Sequence, residues 1–210
     1  MFMFNYSNII DPLLRDLRNL ITEMIDIKPN NKIIDVCCGT GEQVITYGKH
    51  GITAVGIDND VNMINTALKN MAKENLRNIS FQIADAADIP FPACSFSGAS
   101  ITFGLHDKTK YTRDKVISEI KRIVQPNGVI IIADFRIPLP RNIWGLAARI
   151  VEALVGGEHY QGFKDYNNGG LDYIIKKNNF NILERTQIKS GLIDIVKVSN
   201  TNNCNDSCEI

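Results

Sequence analysis

Residues 32–41, with the sequence Lys-Ile-Ile-Asp-Val-Cys-Cys-Gly-Thr-Gly, decide the fold of this 210-residue chain. The short apolar, β-branched run at 32–37 is typical of a buried strand. The Gly-Thr-Gly that follows allows a tight turn and a close approach to another group, because glycine has no Cβ. A helix is expected to follow, up to His50. The stretch therefore predicts a buried strand, a tight loop and a helix.

The same alternation of strands and helices continues on both sides of this stretch. A helix is predicted at 8–26, and Asp60 and Thr112 are predicted to cap two more. Further strands are predicted at 53–58, 79–84, 97–103 and 129–135. Five strands with such crossovers imply a parallel sheet with helices on both faces.

The C-terminal strands depart from this parallel arrangement. Residues 181–188 and 192–198 are two strand-like runs joined only by Lys-Ser-Gly. A connection this short makes a hairpin, so one of the two strands must run antiparallel. We therefore expect an α/β, Rossmann-like fold with a seven-stranded, mostly parallel sheet and an antiparallel C-terminal strand.

Composition narrows the class of protein. Lys plus Arg and Asp plus Glu both number 23, and a net charge of zero argues against nonspecific nucleic-acid binding. No run approaches 18 uncharged apolar residues, so no transmembrane helix is expected. The five cysteines are odd in number and follow no secretory signal, which favours free thiols and a cytoplasmic location. One domain is expected over 1–200, with a polar tail over 201–210.

Polar residues collect at the predicted carboxyl ends of the strands, where ligands bind in an open parallel sheet. Asp58 follows Gly39 by 19 residues, the spacing at which a carboxylate accepts hydrogen bonds from ribose hydroxyls. Asp85, at the end of the third strand, suits the exocyclic amine of an adenine. A dinucleotide fingerprint would place a third glycine at position 44, which is Val44 here, and this disfavours a nicotinamide cofactor without excluding it.

The motifs resemble those of class I S-adenosylmethionine-dependent methyltransferases, in the branch of the ubiquinone and menaquinone C-methyltransferases. Residues 33–41 look like the first motif, 56–58 like the second, and 84–86 with 89–91 like the adenine-contacting segment. Residues 101–105, 120–128 and 133–135 are similar to later segments of that branch. The resemblance covers roughly residues 28–198. It implies a single methyltransferase domain that uses S-adenosylmethionine and methylates a small-molecule acceptor, quinone-like or lipid-like.

The resemblance also implies which residues bind the cofactor. Asp35 would orient its amino group, Asp58 would hold the ribose, Asp85 and the Ala86 N–H would meet the adenine, and Phe103 would wall the pocket. The full set of implied cofactor-binding residues is Asp35, Gly39, Thr40, Gly41, Asp58, Asn59, Asp85, Ala86 and Phe103. A plain core position stays an equal alternative for Phe103.

The acceptor side departs from the family pattern. His106-Asp107 stands where the quinone branch usually carries Arg-Asn. His106 is the candidate general base, because an unperturbed histidine titrates near neutrality, and a structural loop histidine is the alternative. Asp134 and Arg136 are candidates for binding a polar acceptor, with a surface ion pair as the alternative.

Residues 141–166 are expected to be an acceptor-side insertion, a helix over 141–155 followed by an aromatic-rich loop. Trp144, His159, Tyr160 and Phe163 are its candidate acceptor-pocket residues, and sealing of the core is the alternative for the last two. A helix on a membrane surface is a less favoured third option, since only Arg141 and Arg149 are basic there.

Two rival functions stay open at this point. One is an NAD(P)-dependent oxidoreductase on a similar sheet, which leaves Asp85 and the hairpin unexplained. The other is a methyltransferase-like domain that binds cofactor without turnover. No metal site and no nucleic-acid partner are expected, and neither the acceptor nor the oligomeric state follows from the sequence.

Overall fold

The computed structural model describes residues 6–26 and 31–201. The Lys-Pro-Asn-Asn sequence at 28–31 predicts a turn; this turn and the polar tail expected at 201–210 lie almost wholly outside the described residues. The helices are α1 Tyr6–Ile25, α2 Glu42–Lys49, α3 Val61–Glu74, α4 Lys110–Ile123, α5 Ile143–Val155, α6 Gly157–Tyr166 and α7 Gly170–Lys177. The strands are β1 Lys32–Val36, β2 Thr53–Asp58, β3 Ile79–Ile83, β4 Phe96–Thr102, β5 Val124–Phe135, β6 Asn181–Ile188 and β7 Ile193–Ser199.

The seven strands form one sheet in the order β3-β2-β1-β4-β5-β7-β6. The first five are parallel neighbours, whereas β7 runs antiparallel to both β5 and β6. The predicted seven-stranded, mostly parallel sheet with an antiparallel C-terminal strand is therefore confirmed. The order reverses between β1 and β4, so the carboxyl ends of these two strands flank the crevice in which such sheets bind ligands.

Each face of the sheet is covered by helices. On one face, α4 and α7 pack on β1, β2, β4, β5 and β7 through buried residues such as Ile117, Ile120 and Ile174. On the other face, α1 and α2 pack through Leu17, Ile21 and Val44. Since both faces are buried, the central strands are nearly continuously apolar, as the strand predicted at 129–135 illustrates.

Several local expectations need correction. Asp60 does cap α3, by accepting from the Asn62 N–H, but α4 is capped by Thr109, whose hydroxyl accepts from the Thr112 N–H. The Pro-Asn-Gly at 126–128, which predicts a turn before the fifth strand, instead forms a bulge within β5, because Phe96 pairs with Val124 and Gly98 with Val129. The Asn127 N–H donates to the Asn200 carbonyl oxygen at 2.9 Å. The expected free thiols are confirmed at Cys37 and Cys38, whereas Cys94 is disulfide-bonded.

The insertion after β5 is more regular than expected. The helix predicted over 141–155 is confirmed as α5, but the aromatic-rich stretch after it forms α6 instead of a loop. A small core of Leu139, Ala148 and Phe163 holds these helices against the end of β5. The outer side of α5 exposes apolar side chains, among them Ile143, Leu146, Ile150 and Leu154. No helix in the described part of the chain is both long and apolar enough to span a bilayer.

Candidate functional site

The two loops that follow β1 and β2 are tied together by Asp58. Its Oδ2 accepts a hydrogen bond from the Gly39 N–H at 2.9 Å, and its Oδ1 accepts from the Asp60 N–H at 2.9 Å. The carboxylate is half-buried. A carboxylate has about four lone-pair sites, so each oxygen keeps capacity for a ligand hydroxyl. The structure thus brings the predicted ribose-binding residue directly against the glycine loop.

The two loop glycines are required for different reasons. A Cβ at Gly39, where φ is +52°, would meet nothing within 4 Å. A Cβ at Gly41, where φ is +80°, would lie 2.5 Å from the Phe81 ring and 2.7 Å from the Ala67 Cβ. Gly41 therefore serves the packing of α2 on α3 and β3. The open face at Gly39, beside the Asp58 carboxylate, is a cradle that fits a nucleoside cofactor.

Asp35 lies on β1, just before the glycine loop, and is almost fully buried. It accepts a hydrogen bond from Ser100 Oγ at 2.5 Å, across β1 and β4. Burial raises the pKa of Asp35 to about 7, although the Ser100 hydrogen bond opposes this rise and Asp58 adds to it. The carboxyl therefore titrates near neutral pH, so a cationic amino group placed close to it would favour its ionised form.

The remaining predicted cofactor residues line the same edge of the sheet. Asp85 is exposed after β3 and accepts from the Ala87 N–H at 2.8 Å, while Ala86 is buried in the core. Asn59 is exposed, and the Thr40 carbonyl accepts from Asn70 Nδ2 at 3.3 Å.

Phe103 begins the acceptor side of the site. It is half-buried with φ of +54°, and its ring centroid lies 5.4 Å from that of Phe135 and 6.2 Å from that of His106. Phe135 is in turn 6.1 Å from Phe163 on α6. These aromatic rings form a continuous wall from the end of β4 to the insertion. Phe103 also packs against the core on one face of the sheet, and its position in a cofactor wall stays a prediction.

His106 is buried at the centre of a cluster of charged groups. Its Nδ1 lies 2.8 Å from Asp134 Oδ1, and Asp134 also accepts from the backbone N–H groups of Leu105, His106 and Phe135. Its Nε2 lies 3.7 Å from Glu152 Oε1 on α5. Glu152 Oε2 is 2.8 Å from His159 Nε2 on α6.

The electrostatics of this cluster bear on the expected base. Burial lowers the pKa of His106, but Asp134, through its charge and hydrogen bond, together with Glu152 and Asp107, outweighs burial and raises it. A raised pKa favours the imidazolium, which donates a proton. A base at His106 would therefore first have to lose that proton, and its role in catalysis stays a prediction.

Not every predicted acceptor residue reaches this cluster. Asp134 is buried within it, but Arg136 is exposed and donates to Gln187 Oε1 at 3.1 Å, so the two do not form the ion pair considered as an alternative. Trp144 is partly exposed on α5. Phe163 is buried in the small core, while half-buried Tyr160 lines an open cleft of about 460 Å³. The cleft is lined by Ile137, Pro138, Leu139, Arg149, Tyr160, Phe163, Lys164 and Asn167.

Sequence reasoning missed Glu152 and Ser100. Glu152 is an isolated acid in an apolar helix, and no spacing connects it with His106, 46 residues earlier. One available signal was Gly162 inside the aromatic stretch. A Cβ there would lie 2.1 Å from the Asp107 carbonyl oxygen, so this glycine lets α6 lie directly on the loop that carries His106.

Comparison with known proteins agrees with this geometry. Residues 33–128 match the family described as "Methyltransferase domain". The match spans 96 of the 210 residues, and together with the sheet order it supports a class I S-adenosylmethionine-dependent methyltransferase, a class whose cofactor is S-adenosylmethionine.

Two curated relatives carry the name demethylmenaquinone methyltransferase. The one from Paenarthrobacter aurescens (strain TC1) is 29% identical over 133 residues, which is 62% of this chain and 50% of that protein. The one from Bacillus cereus (strain AH187) is 28% identical over 151 residues, 69% of this chain and 62% of that protein. The chain thus spans about half to three fifths of the length of these relatives.

Solved structures share the fold at low identity. A S-adenosylmethionine-dependent methyltransferase from Aquifex aeolicus has a TM-score of 0.70 at 16% identity, covering 93% of this chain and 97% of its own. The PH0226 protein from Pyrococcus horikoshii OT3 has a TM-score of 0.72 at 16% identity, covering 91% of each chain. The [4+2]-cyclase SpnF has 0.63 at 16% identity, covering 88% of this chain and 80% of its own, so the fold alone does not fix the reaction.

Proposed function

We propose that this chain binds S-adenosylmethionine at the carboxyl ends of β1, β2 and β3 and transfers its methyl group to a small apolar acceptor. The observation that carries the proposal is the bond between Asp58 and the Gly39 N–H. This bond holds the carboxylate that we assign to the ribose beside Gly39, the loop glycine with open space where a Cβ would lie.

The three acids at this edge suit three parts of the cofactor. Asp58 accepts from the ribose hydroxyls, and Asp85, which is exposed and has one oxygen held by the Ala87 N–H, accepts from the adenine amine. Asp35 faces the amino group of the methionine moiety, directly or through water. Ser100 orients its carboxyl for this task.

Methyl transfer from a sulfonium requires alignment and a dry site more than a specific acid or base. The cofactor supplies the reactive methyl group when it is bound. The wall of Phe103, Phe135 and Phe163 supplies the apolar surroundings on the acceptor side. These rings lead from the end of β4 to the cleft between α6 and the segment after β5.

The cleft suits a planar or lipid-like acceptor. Its lining is mainly apolar, with Tyr160 on one side and the cationic Arg149 and Lys164 at its edge. Apolar walls with a few polar groups are the usual composition of a small-molecule site. The names of the curated relatives point in the same direction, towards a quinone-like ring. The His106-Asp107 departure from the quinone branch leaves the particular acceptor open.

The test is an acceptor screen with S-adenosylmethionine that carries an isotopically labelled methyl group. The probes are a reduced naphthoquinone that lacks a ring methyl group and an apolar extract of bacterial cells. We expect a product whose mass increases by one labelled methyl group. At a cofactor concentration near the dissociation constant of the parent chain, we expect clearly less of this product from the Asp58→Ala variant. Cofactor binding without any labelled product would instead support a non-catalytic binding domain.

A further inference from the structure

The cluster around Glu152 joins three potential metal ligands from separate elements. His106 comes from the loop after β4, Glu152 from α5 and His159 from α6. One ligand atom from each of the three residues can be chosen so that all lie within 4.8 Å of one another. Ligands of a tetrahedral ion with bonds of about 2.0–2.2 Å lie roughly 3.4 Å apart. Side-chain shifts of about an ångström would therefore close the three ligands around one ion.

Glu152 is costly to bury without a positive partner. Its side chain is 5% exposed, and α5 around it is apolar. Its ion pairs within the described residues go to the imidazoles of His106 and His159, at 3.7 Å and 2.8 Å. An imidazolium at His106 or a divalent cation can compensate the buried negative charge, and only the cation also uses the lone pairs of both imidazoles.

Asp134 holds His106 in the orientation that a metal ligand needs. Its carboxylate is fully buried and fixed by three backbone N–H groups, and it accepts from His106 Nδ1 at 2.8 Å. With Nδ1–H donated to Asp134, a ring that has released its Nε2 proton to bind a metal presents the Nε2 lone pair towards Glu152. A carboxylate behind a ligating histidine is the usual supporting contact in metal sites.

We propose that His106, Glu152 and His159 bind a divalent transition-metal ion, Zn²⁺ being the ion their ligand chemistry suits. Two imidazole nitrogens and one carboxylate leave a fourth position open, as in catalytic zinc sites. The use of that position rests on the proposed function: it would take an oxygen atom of the acceptor beside the aromatic wall and lower the pKa of that oxygen. Metal binding itself does not depend on methyl transfer.

The experiment measures Zn²⁺ binding by the full chain in the absence of cofactor and acceptor. We expect one tightly bound Zn²⁺ per chain, from elemental analysis after dialysis and from competition with a chromogenic chelator. His159→Ala and the near-isosteric Glu152→Gln should each weaken the dissociation constant at least about tenfold. Circular dichroism of each variant separates loss of the ligand from loss of the fold.

The matched control is the remaining histidine of the chain, His50. It is exposed, and its Nδ1 lies 2.9 Å from the Thr46 carbonyl oxygen, so His50→Ala should bind Zn²⁺ like the parent chain. A chain that retains no Zn²⁺ would overturn the proposal. So would binding that survives in folded Glu152→Gln and is lost in Cys38→Ser, since the ion would then sit at the thiols. Neither result bears on S-adenosylmethionine binding, which is measured separately.

Discussion

Asp58 has two tasks that a single substitution separates. In the structure its carboxylate accepts from the Gly39 and Asp60 N–H groups, and in the proposed complex it also accepts from the ribose. Asp58→Ala removes two hydrogen bonds to a charged group, each worth about 1.5–3 kcal/mol. We expect the dissociation constant for S-adenosylmethionine, from calorimetric titration, to rise at least about tenfold.

The matched control for this change is Asp58→Asn. The amide keeps one carbonyl oxygen as an acceptor, so an intermediate loss of affinity is expected. The melting temperatures of both variants show whether losing the hydrogen bonds from the Gly39 and Asp60 N–H groups has destabilised the fold. Unchanged affinity in a folded Asp58→Ala protein would disprove the ribose assignment.

Asp35 gives the stability of the fold a specific pH dependence. Burial raises its pKa from 3.8 to about 7, so the folded state favours the protonated carboxyl. Its stabilising contribution is complete below pH 3.8 and is lost as the pH rises towards 7, because the unfolded chain ionises first. The loss is about 1.4 kcal/mol per pH unit, roughly 4 kcal/mol in all.

The Asp35→Asn variant isolates this contribution. The amide keeps an acceptor for Ser100 Oγ and does not ionise. We expect the parent chain to lose stability relative to this variant as the pH rises from about 4 to 7, in urea unfolding at each pH. A difference in unfolding free energy that does not vary with pH would contradict the raised pKa.

The acids at the strand ends could be predicted from the sequence, whereas the contacts of the acceptor side could not. Asp35, Asp58 and Asp85 lie in or directly after their strands. A sequence pattern that locates the strand therefore also locates the acid. Glu152 and His159 are brought to His106 by the packing of two helices onto a loop. That packing depends on the three-dimensional fit at Gly162, which no local pattern specifies.

At the scale of elements, the two glycines in the loop between β1 and α2 have different tasks. Gly39 leaves room for a ligand, and Gly41 leaves room for the packing of α2. Gly39→Ala would place its Cβ in open space at a positive φ, which costs about 1–2 kcal/mol. Gly41→Ala would also press against the Phe81 ring and Ala67, adding about 1–3 kcal/mol of overpacking.

We therefore expect the variant that loses more stability to be a different one from the variant that loses more cofactor affinity. In thermal unfolding, Gly41→Ala should be the less stable protein. In titration with S-adenosylmethionine at a temperature where both are folded, Gly39→Ala should show the larger loss of affinity, because its methyl group occupies the cofactor cradle. Normal cofactor binding by Gly39→Ala would show that this loop does not hold the cofactor.

The helices α5 and α6 allow a similar comparison on the acceptor side. Tyr160 is half-buried along the cleft, whereas Phe163 is buried against Leu139 and Ala148. We expect Tyr160→Ala to leave S-adenosylmethionine affinity intact, to change the melting temperature little and to reduce acceptor turnover strongly. Phe163→Ala should instead destabilise the fold by about 3–5 kcal/mol.

The readouts are the melting temperature and the turnover per folded molecule. A sharply lower melting temperature of Tyr160→Ala with normal turnover would contradict the pocket assignment. The sequence predicted α5 from its apolar spacing but not α6. Its stretch is rich in aromatic residues and begins with two glycines, which are poor helix formers, so tertiary contacts decide its conformation.

At the scale of the molecule, the sheet order follows from the chain by general rules. Crossovers between parallel strands are right-handed, and the short hairpin at the C-terminus forces β6 and β7 to run antiparallel to each other. In the structure β7 is the strand inserted next to β5, and it runs antiparallel to β5 as well. These rules bring the carboxyl ends of β1, β2 and β4 to one edge, and the family motifs lie there. The insertion after β5 is the part that the general topology leaves unspecified, and it carries Glu152 and His159, which contact the loop of the His106-Asp107 departure from the quinone branch.

The most direct test of the account is calorimetric titration of the full chain with S-adenosylmethionine, S-adenosylhomocysteine and NAD under one set of conditions. We predict binding of the two sulfur-containing ligands at one site per chain, with no heat of binding for NAD. Binding of NAD without binding of S-adenosylmethionine would contradict the account and would favour the NAD(P)-dependent oxidoreductase as the function.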